Sequence, residues 1–137
     1  MEIINETNYV DKAQKVIESL ESNTNIHGGS RNANSYKRPK LTTSKIRNIL
    51  SMTSDIYNDV INLQSDALSS EITSRIEYLR LRCIYEAGRD KIVKDFIKES
   101  QLIDVINEIN GSKANYILFN RYMEALVAFH KFYGGDD

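Results

Sequence analysis

The last long segment of the chain, from Lys113 to Tyr133, limits the fold more than any other stretch. Ile117, Leu118, Phe119, Tyr122, Met123, Leu126, Val127, Phe129 and Phe132 all fall inside it. Wound at 3.6 residues per turn, these side chains cover more of the helix surface than a single apolar stripe would. A helix of this kind has two physical solutions. Either it is the central helix of a bundle, or part of it packs on another protein.

The rest of the chain supports an all-α fold. One proline and six glycines in 137 residues leave little material for the turns of a sheet, and strand-like alternation is scarce. The length fits a single domain spanning 1–137, a compact bundle of about five helices. A first helix is predicted after Asn8, with Tyr9, Ala13, Val16, Ile17 and Leu20 on one face. From Asn23 to Lys40 no apolar period survives, and Gly, Ser, Asn and Pro39 predict a long flexible basic loop. A second helix runs from Thr43 to about Leu63, with Ile46, Ile49, Leu50, Thr53, Ile56, Tyr57 and Val60 facing the core. A third spans roughly Leu68 to Ala87, its core face being Ile72, Ile76, Leu79, Cys83 and Ala87. Arg89 to Ile109 forms a fourth region, with a break expected near Ser100.

Charge is segregated along the sequence. Although the net charge is −1, no acid occurs between Ser22 and Ser54, while Arg31, Lys37, Arg38, Lys40, Lys45 and Arg47 lie there. Such a distribution suits a polyanion contacted at one place better than a protein coating nucleic acid all round. The second helix opens with Thr42, Thr43 and Ser44 and then carries Lys45 and Arg47 where acids are usual. Hydroxyls, unpaired N–H groups and cations at a helix start make an anion site, unless the two long side chains simply extend into water. At 100° per residue Lys45 and Arg47 diverge to opposite flanks of the apolar stripe, so they do not act as one pair. On the third helix Arg75, Arg82 and Arg89 recur every seven residues beside Tyr78 and Tyr85. Arginines interleaved with aromatics occur on single-strand binding surfaces. The tyrosines are read instead as packing at the edge of the core, and the arginines are left open between phosphate contacts and ion pairs with neighbouring acids.

Little in the sequence points to catalysis or to a metal. His27 falls in the expected loop, where nothing would fix its orientation, and His130 lies in the apolar last segment. A single cysteine, Cys83, excludes an internal disulfide and any multi-cysteine zinc site. Asp90, Asp95 and Glu99 alternate with Lys91, Lys94 and Lys98, the pattern of a solvated, ion-paired surface rather than a magnesium site. No metal, cofactor or catalytic residue is expected. The start of the chain lacks the order of a secretion signal and no apolar run approaches a membrane span, so a soluble cytoplasmic protein is expected.

Four segments, LTTSKIRNILSMTS (41–54), YLRLRCIYEAGR (78–89), VKDFIKESQLIDVI (93–106) and RYMEALVAFHKFYGG (121–135), together resemble the small α-helical subunit of the type III-A CRISPR–Cas effector, the Csm complex. The resemblance implies a non-catalytic protein whose copies stack as a filament beside a backbone of larger subunits carrying the CRISPR guide RNA. It also implies contact with the guide–target duplex, chiefly the target RNA, while the backbone and large subunits hold the nuclease and cyclase activities. Carried over by position, the RNA-binding residues are Lys45, Arg47, Arg80, Arg82, Arg89, Arg121 and Lys131; Thr43 and Ser44 join them from the helix start, where they are expected to meet phosphate with Lys45. Lys37, Arg38 and Lys40 are candidate loop contacts on charge alone. A helical adaptor without any nucleic-acid role is the competing reading.

Overall fold

The computed structural model describes the backbone of residues 1–26 and 41–134. His27, Lys37, Arg38, Lys40 and most of the expected loop lie outside the described residues. The described residues form six helices, α1 (Tyr9–Ile26), α2 (Thr43–Val60), α3 (Ser70–Arg89), α4 (Lys91–Glu99), α5 (Leu102–Ile109) and α6 (Lys113–Phe132). No strand is present among the described residues; one isolated bridge pairs Ala67 with Ser112.

Helix α6 is the centre of the bundle and packs against α1, α2 and α5. Tyr116, Leu118, Phe119, Asn120, Tyr122, Met123, Leu126 and His130 are all buried, leaving an outward strip that includes Ala114, Arg121, Glu124 and Ala128. Of the two solutions that its apolar density allowed, the first therefore accounts for most of it. Two buried tyrosines of α6 direct their hydroxyls at backbone carbonyls of other elements. The Tyr116 hydroxyl donates to the Thr53 carbonyl of α2 at 2.7 Å, and that of Tyr122 donates to the Ser100 carbonyl between α4 and α5 at 2.9 Å. Burial raises the pKa of both phenols, that of Tyr122 to about 12, so they remain neutral donors at physiological pH.

The other end of α6 is tied to the start of α2. His130 is buried, and its Nε2 lies 2.7 Å from the Leu41 carbonyl. A carbonyl only accepts, so Nε2 carries the proton and donates. With Leu41 opposite His130 and Thr53 opposite Tyr116, α2 and α6 run antiparallel. Helix α3 then packs on α2, α4 and α5.

The element boundaries follow from local chemistry. Asn5 caps the entry to α1: its side chain accepts from the N–H groups of Thr7 and Asn8, and the Asn8 side chain accepts in return from the Asn5 N–H. This turn precedes the helix proper, which begins at Tyr9, directly after Asn8 as the apolar period predicts. Ser69 caps α3 through the Ile72 N–H and Ser112 caps α6 through the Asn115 N–H. The expected break near Ser100 separates α4 from α5, where Gln101 takes a left-handed conformation at φ 55°. Asn110 and Gly111, both at positive φ, end α5, and the Asn115 side-chain amide donates to the Glu108 and Ile109 carbonyls freed there.

The Tyr122 bond is a test of how far the packing depends on α6. Tyr122→Phe keeps the ring but leaves the Ser100 carbonyl unpaired in the core. Denaturant unfolding should show a loss of about 1–3 kcal/mol relative to the unsubstituted chain.

Candidate nucleic-acid interface

Helix α2 starts as expected, but its first turn is unusual for a different reason from the one its charges suggest. No acid lies in that turn, yet α4 and α6 also begin with a lysine and without an acid. Those two helices are capped by Asp90 and Ser112 side chains, whereas Thr42 makes no side-chain cap bond to α2. The Thr42 and Ser44 hydroxyls instead bond to each other at 3.0 Å. Thr43 Oγ1 is buried without a partner, as is Nδ1 of His130. Where α2 begins, then, the backbone donors lack a side-chain cap and a hydroxyl is unmatched.

Lys45 and Arg47 separate as helical geometry requires. Lys45 is half-buried and its ammonium donates to Asp90 Oδ2 at 2.8 Å. Arg47 is exposed and has no ion pair among the described residues. Lys45 nevertheless comes beside another sequence candidate, because the antiparallel packing of α2 and α3 brings the C-terminal turn of α3 next to the start of α2. Ser44, Lys45, Asn48, Glu86, Arg89 and Asp90 line a polar cleft of about 230 Å³. Arg89 is well exposed there, with 61% of its side-chain surface accessible, and its guanidinium is 3.9 Å from Glu86. Two bases and two acids face the same space, so the cleft is formally neutral.

The remaining candidates divide by partner. Arg82 donates to Glu86 at 2.9 Å, a pair held by a carboxylate that is almost wholly buried. Arg80 is bridged to Glu77 at 2.8 Å. Arg121 is exposed on the outward strip of α6 and has no ion pair among the described residues. Lys131 is exposed and is not free of interactions. Of the bases carried by the resemblance, Arg47, Arg89 and Arg121 are therefore the most available, while Lys45, Arg80 and Arg82 are already paired. Arg75, read with Arg82 and Arg89 as a row, is held by Asp59 and lines a second, larger and more apolar cleft between α2 and α3.

The tyrosines differ from the expectation that they pack at the edge of the core. Tyr78 and Tyr85 are 55% and 53% exposed and share the outer face of α3 with Leu81 and Ile84. The core face of α3 is filled by Ile72, Ile76, Leu79 and Cys83, so an outward position is what remains for these rings. The Arg82 guanidinium lies over the Tyr85 ring at 4.9 Å and that of Arg89 at 5.9 Å.

Asp90 and Glu86 are the site residues that sequence reasoning misses. Asp90 reads as one of the alternating acids of α4, although its position between Arg89 and the apolar run Ile92–Val93 is an N-cap signature. Its Oδ1 accepts from the Ile92 N–H at 2.9 Å while Oδ2 takes Lys45. The Lys45 bond is the main cause that holds its carboxyl below the ordinary value of 3.8, with the Ile92 and Val93 N–H groups adding to it. Glu86 stands four residues after Arg82, a spacing that is visible in the chain. Among the described residues the cysteine and the histidine are both enclosed. Cys83 is fully buried with its thiol pushed up to about 12, mainly by desolvation, and the His130 ring is enclosed. Among the described residues no group of His, Cys, Asp and Glu could hold a metal ion, and no helix is long and apolar enough to cross a membrane.

These features define a small all-helical protein with a charge-balanced cleft and a set of accessible surface arginines. A family model for Csm2 of type III-A matches residues 19–136. Over the whole of both chains the sequence is 39% identical to a CRISPR system Cms protein Csm2 from Streptococcus thermophilus. It is 38% identical to the protein of that name from Enterococcus italicus over 68% of each chain. A Mycobacterium tuberculosis Csm2 is 32% identical over 68% of this chain and 75% of its own. The chain belongs to the Csm2 type III-A family, the small subunit of the type III-A CRISPR complex.

The carboxylate of Asp90 supplies a test of the cleft geometry. A depressed folded pKa gives stability that is complete above the unfolded value and is lost as pH falls through the folded one. Thermal unfolding of Asp90→Asn should therefore lose less stability than the unsubstituted chain when the pH is lowered below 3.8.

Proposed function

We propose that this chain is a non-catalytic subunit that binds target RNA and the guide–target duplex through sequence-independent backbone contacts, its copies stacking as a filament in the effector complex. The observation that carries the reading is the placement of Arg47, Arg89 and Arg121. All three are exposed, the first and last have no ion pair among the described residues, and Arg89 opens onto the cleft at the start of α2. Recognition that must serve any guide sequence uses phosphate and 2′-hydroxyl groups, because base pairing already reads the sequence. Long arginine side chains at a surface suit that task, and weak contacts repeated along a stack of copies add up to a useful affinity. Ser44 and Lys45 belong to the same contact in this reading, with Arg80, Arg82 and Lys131 as secondary ones, whereas the buried hydroxyl of Thr43 does not reach it.

A non-catalytic role is supported by the burial of His130 and Cys83, which keeps the imidazole and the thiol away from any bound strand. The partners proposed are target RNA, the CRISPR guide RNA, the backbone and large subunits and further copies of the chain, in the cytoplasm. The adaptor reading also has an observation in its favour. Tyr78, Leu81, Ile84 and Tyr85 expose an apolar face on α3 that suits a protein neighbour. The two readings differ in what the arginines do.

Mobility shift of target RNA by the reconstituted complex at several salt concentrations separates them. Arg47→Ala, Arg89→Ala and Arg121→Ala, combined in every copy, should weaken binding by about tenfold or more at low salt. The dependence of log affinity on log salt should become shallower by about 0.7–0.9 for each phosphate that is no longer neutralised. Unchanged affinity and slope, with the complex intact, would leave the adaptor reading. RNA cleavage by the subunit alone, abolished in His130→Ala, would overturn the non-catalytic one.

A further inference from the structure

Asp90 does two jobs with two oxygens. Oδ1 caps α4 through the Ile92 N–H at 2.9 Å, and Oδ2 accepts from Lys45 at 2.8 Å. Capping alone does not require a charge, since Asn, Ser or Thr at the same position would accept the same N–H. What the negative charge adds is the hold on Lys45.

The two partners are not equally mobile. The Asp90 backbone is fixed on both sides, its N–H donating to the Glu86 carbonyl at 3.2 Å and its carbonyl accepting from the Lys94 N–H at 2.9 Å. Its carboxylate therefore stays at the cleft. Lys45 has a flexible four-carbon stem and is the partner that can swing away. Glu86, the second acid, is turned toward Arg82 at 2.9 Å and is farther from Arg89, at 3.9 Å. An anion entering the cleft meets one accessible arginine, one lysine already taken, and a fixed carboxylate that repels it.

We infer that Asp90 is a specificity-determining residue, a counter-anion built into the fold that holds Lys45 until a ligand carrying several linked phosphates displaces it. A single phosphate gains Lys45 only by breaking the Lys45–Asp90 pair beside an unmoved negative charge. A nucleic-acid strand engages Arg89 and the surface arginines with its other phosphates, which keeps a phosphate at the cleft while Lys45 changes partner. The cleft thereby discriminates a polyanion from the small anions of the cell. This inference rests on the reading of the cleft as an RNA contact.

Fluorescence anisotropy of a labelled single-stranded oligouridine, titrated with the full chain between roughly 50 and roughly 200 mM salt, tests it. Asp90→Asn keeps a cap of similar strength and removes the charge. It should bind the RNA about fivefold more tightly at low salt, with a slope of log affinity against log salt steeper by about 0.7. Inorganic phosphate should compete measurably with Asp90→Asn and only weakly with the unsubstituted chain. In Lys45→Ala the same Asp90→Asn change should give a much smaller gain, a coupling that a purely structural cap would not produce. If Lys45→Ala weakens binding but Asp90→Asn binds no more tightly than the unsubstituted chain, Asp90 is not a competitor and the inference fails alone. If neither the unsubstituted chain nor Asp90→Asn binds RNA and Lys45→Ala changes nothing, the reading of the cleft fails with it.

Discussion

Burying α6 on most of its surface is the constraint on which the other helices depend. Its apolar side chains remove themselves from water only if several elements surround them, and a hydrophobic shell alone would tolerate several arrangements of those elements. The phenolic and imidazole groups select one. Tyr116 bonds to the middle of α2, Tyr122 to the turn between α4 and α5, and His130 to the residue at which the chain enters α2. The two tyrosine bonds are made inside the core and the His130 bond at its edge, where an unmatched carbonyl is costly, so helix direction and register are specified by polar groups on an otherwise apolar helix. The start of α2 is thereby set against the rest of the bundle, and the cleft it forms with the end of α3 inherits that rigidity.

The electrostatics of the surface follow from the same packing. Basic residues that are close in sequence diverge in space, and Lys45 and Arg89, far apart in sequence, share a cleft. Acids from α3 and the α3–α4 junction neutralise the bases nearest to them, which leaves Arg47 and Arg121 as outlying cations without an ion pair among the described residues. Salt screens such exposed charges over about 8–10 Å at physiological strength, so no one of them can hold a ligand strongly. A distributed set of weak cations favours a long anion over a compact one. A surface of this kind gains its affinity through repetition.

The periodic parts of the chain are legible in its sequence. The apolar stripes of α2 and α3, the burial of Cys83 and the break at Ser100 all follow from spacing, because a helix face is a short-range property, whereas the apolar density of α6 left its central position as one of two solutions. The places that spacing does not reach depend on contacts between distant residues. Lys45 and Asp90 lie 45 positions apart, and nothing in either neighbourhood announces the other. By the usual behaviour of aromatics at helical spacing, Tyr78 and Tyr85 belong at the core edge, yet the core side of α3 is already filled by aliphatic residues and Cys83. The basic first turn of α2 looks exceptional by charge alone, but α4 and α6 begin with lysines too; the missing side-chain cap is the real difference. Such a difference is visible only in coordinates, since Thr42 is nearly as good a capping residue by type as the serines that do cap.

Whether the arginines of α2, α3 and α6 face the RNA backbone is tested most directly by a cryo-electron microscopy structure of the assembled effector with target RNA bound. Phosphate or ribose oxygens are predicted within hydrogen-bond distance of Arg47, Arg89 or Arg121 in each copy, with the Lys45 ammonium moved from Asp90 toward a phosphate. An RNA path that leaves all three arginines against solvent or protein, with the Lys45–Asp90 pair intact, would contradict this placement.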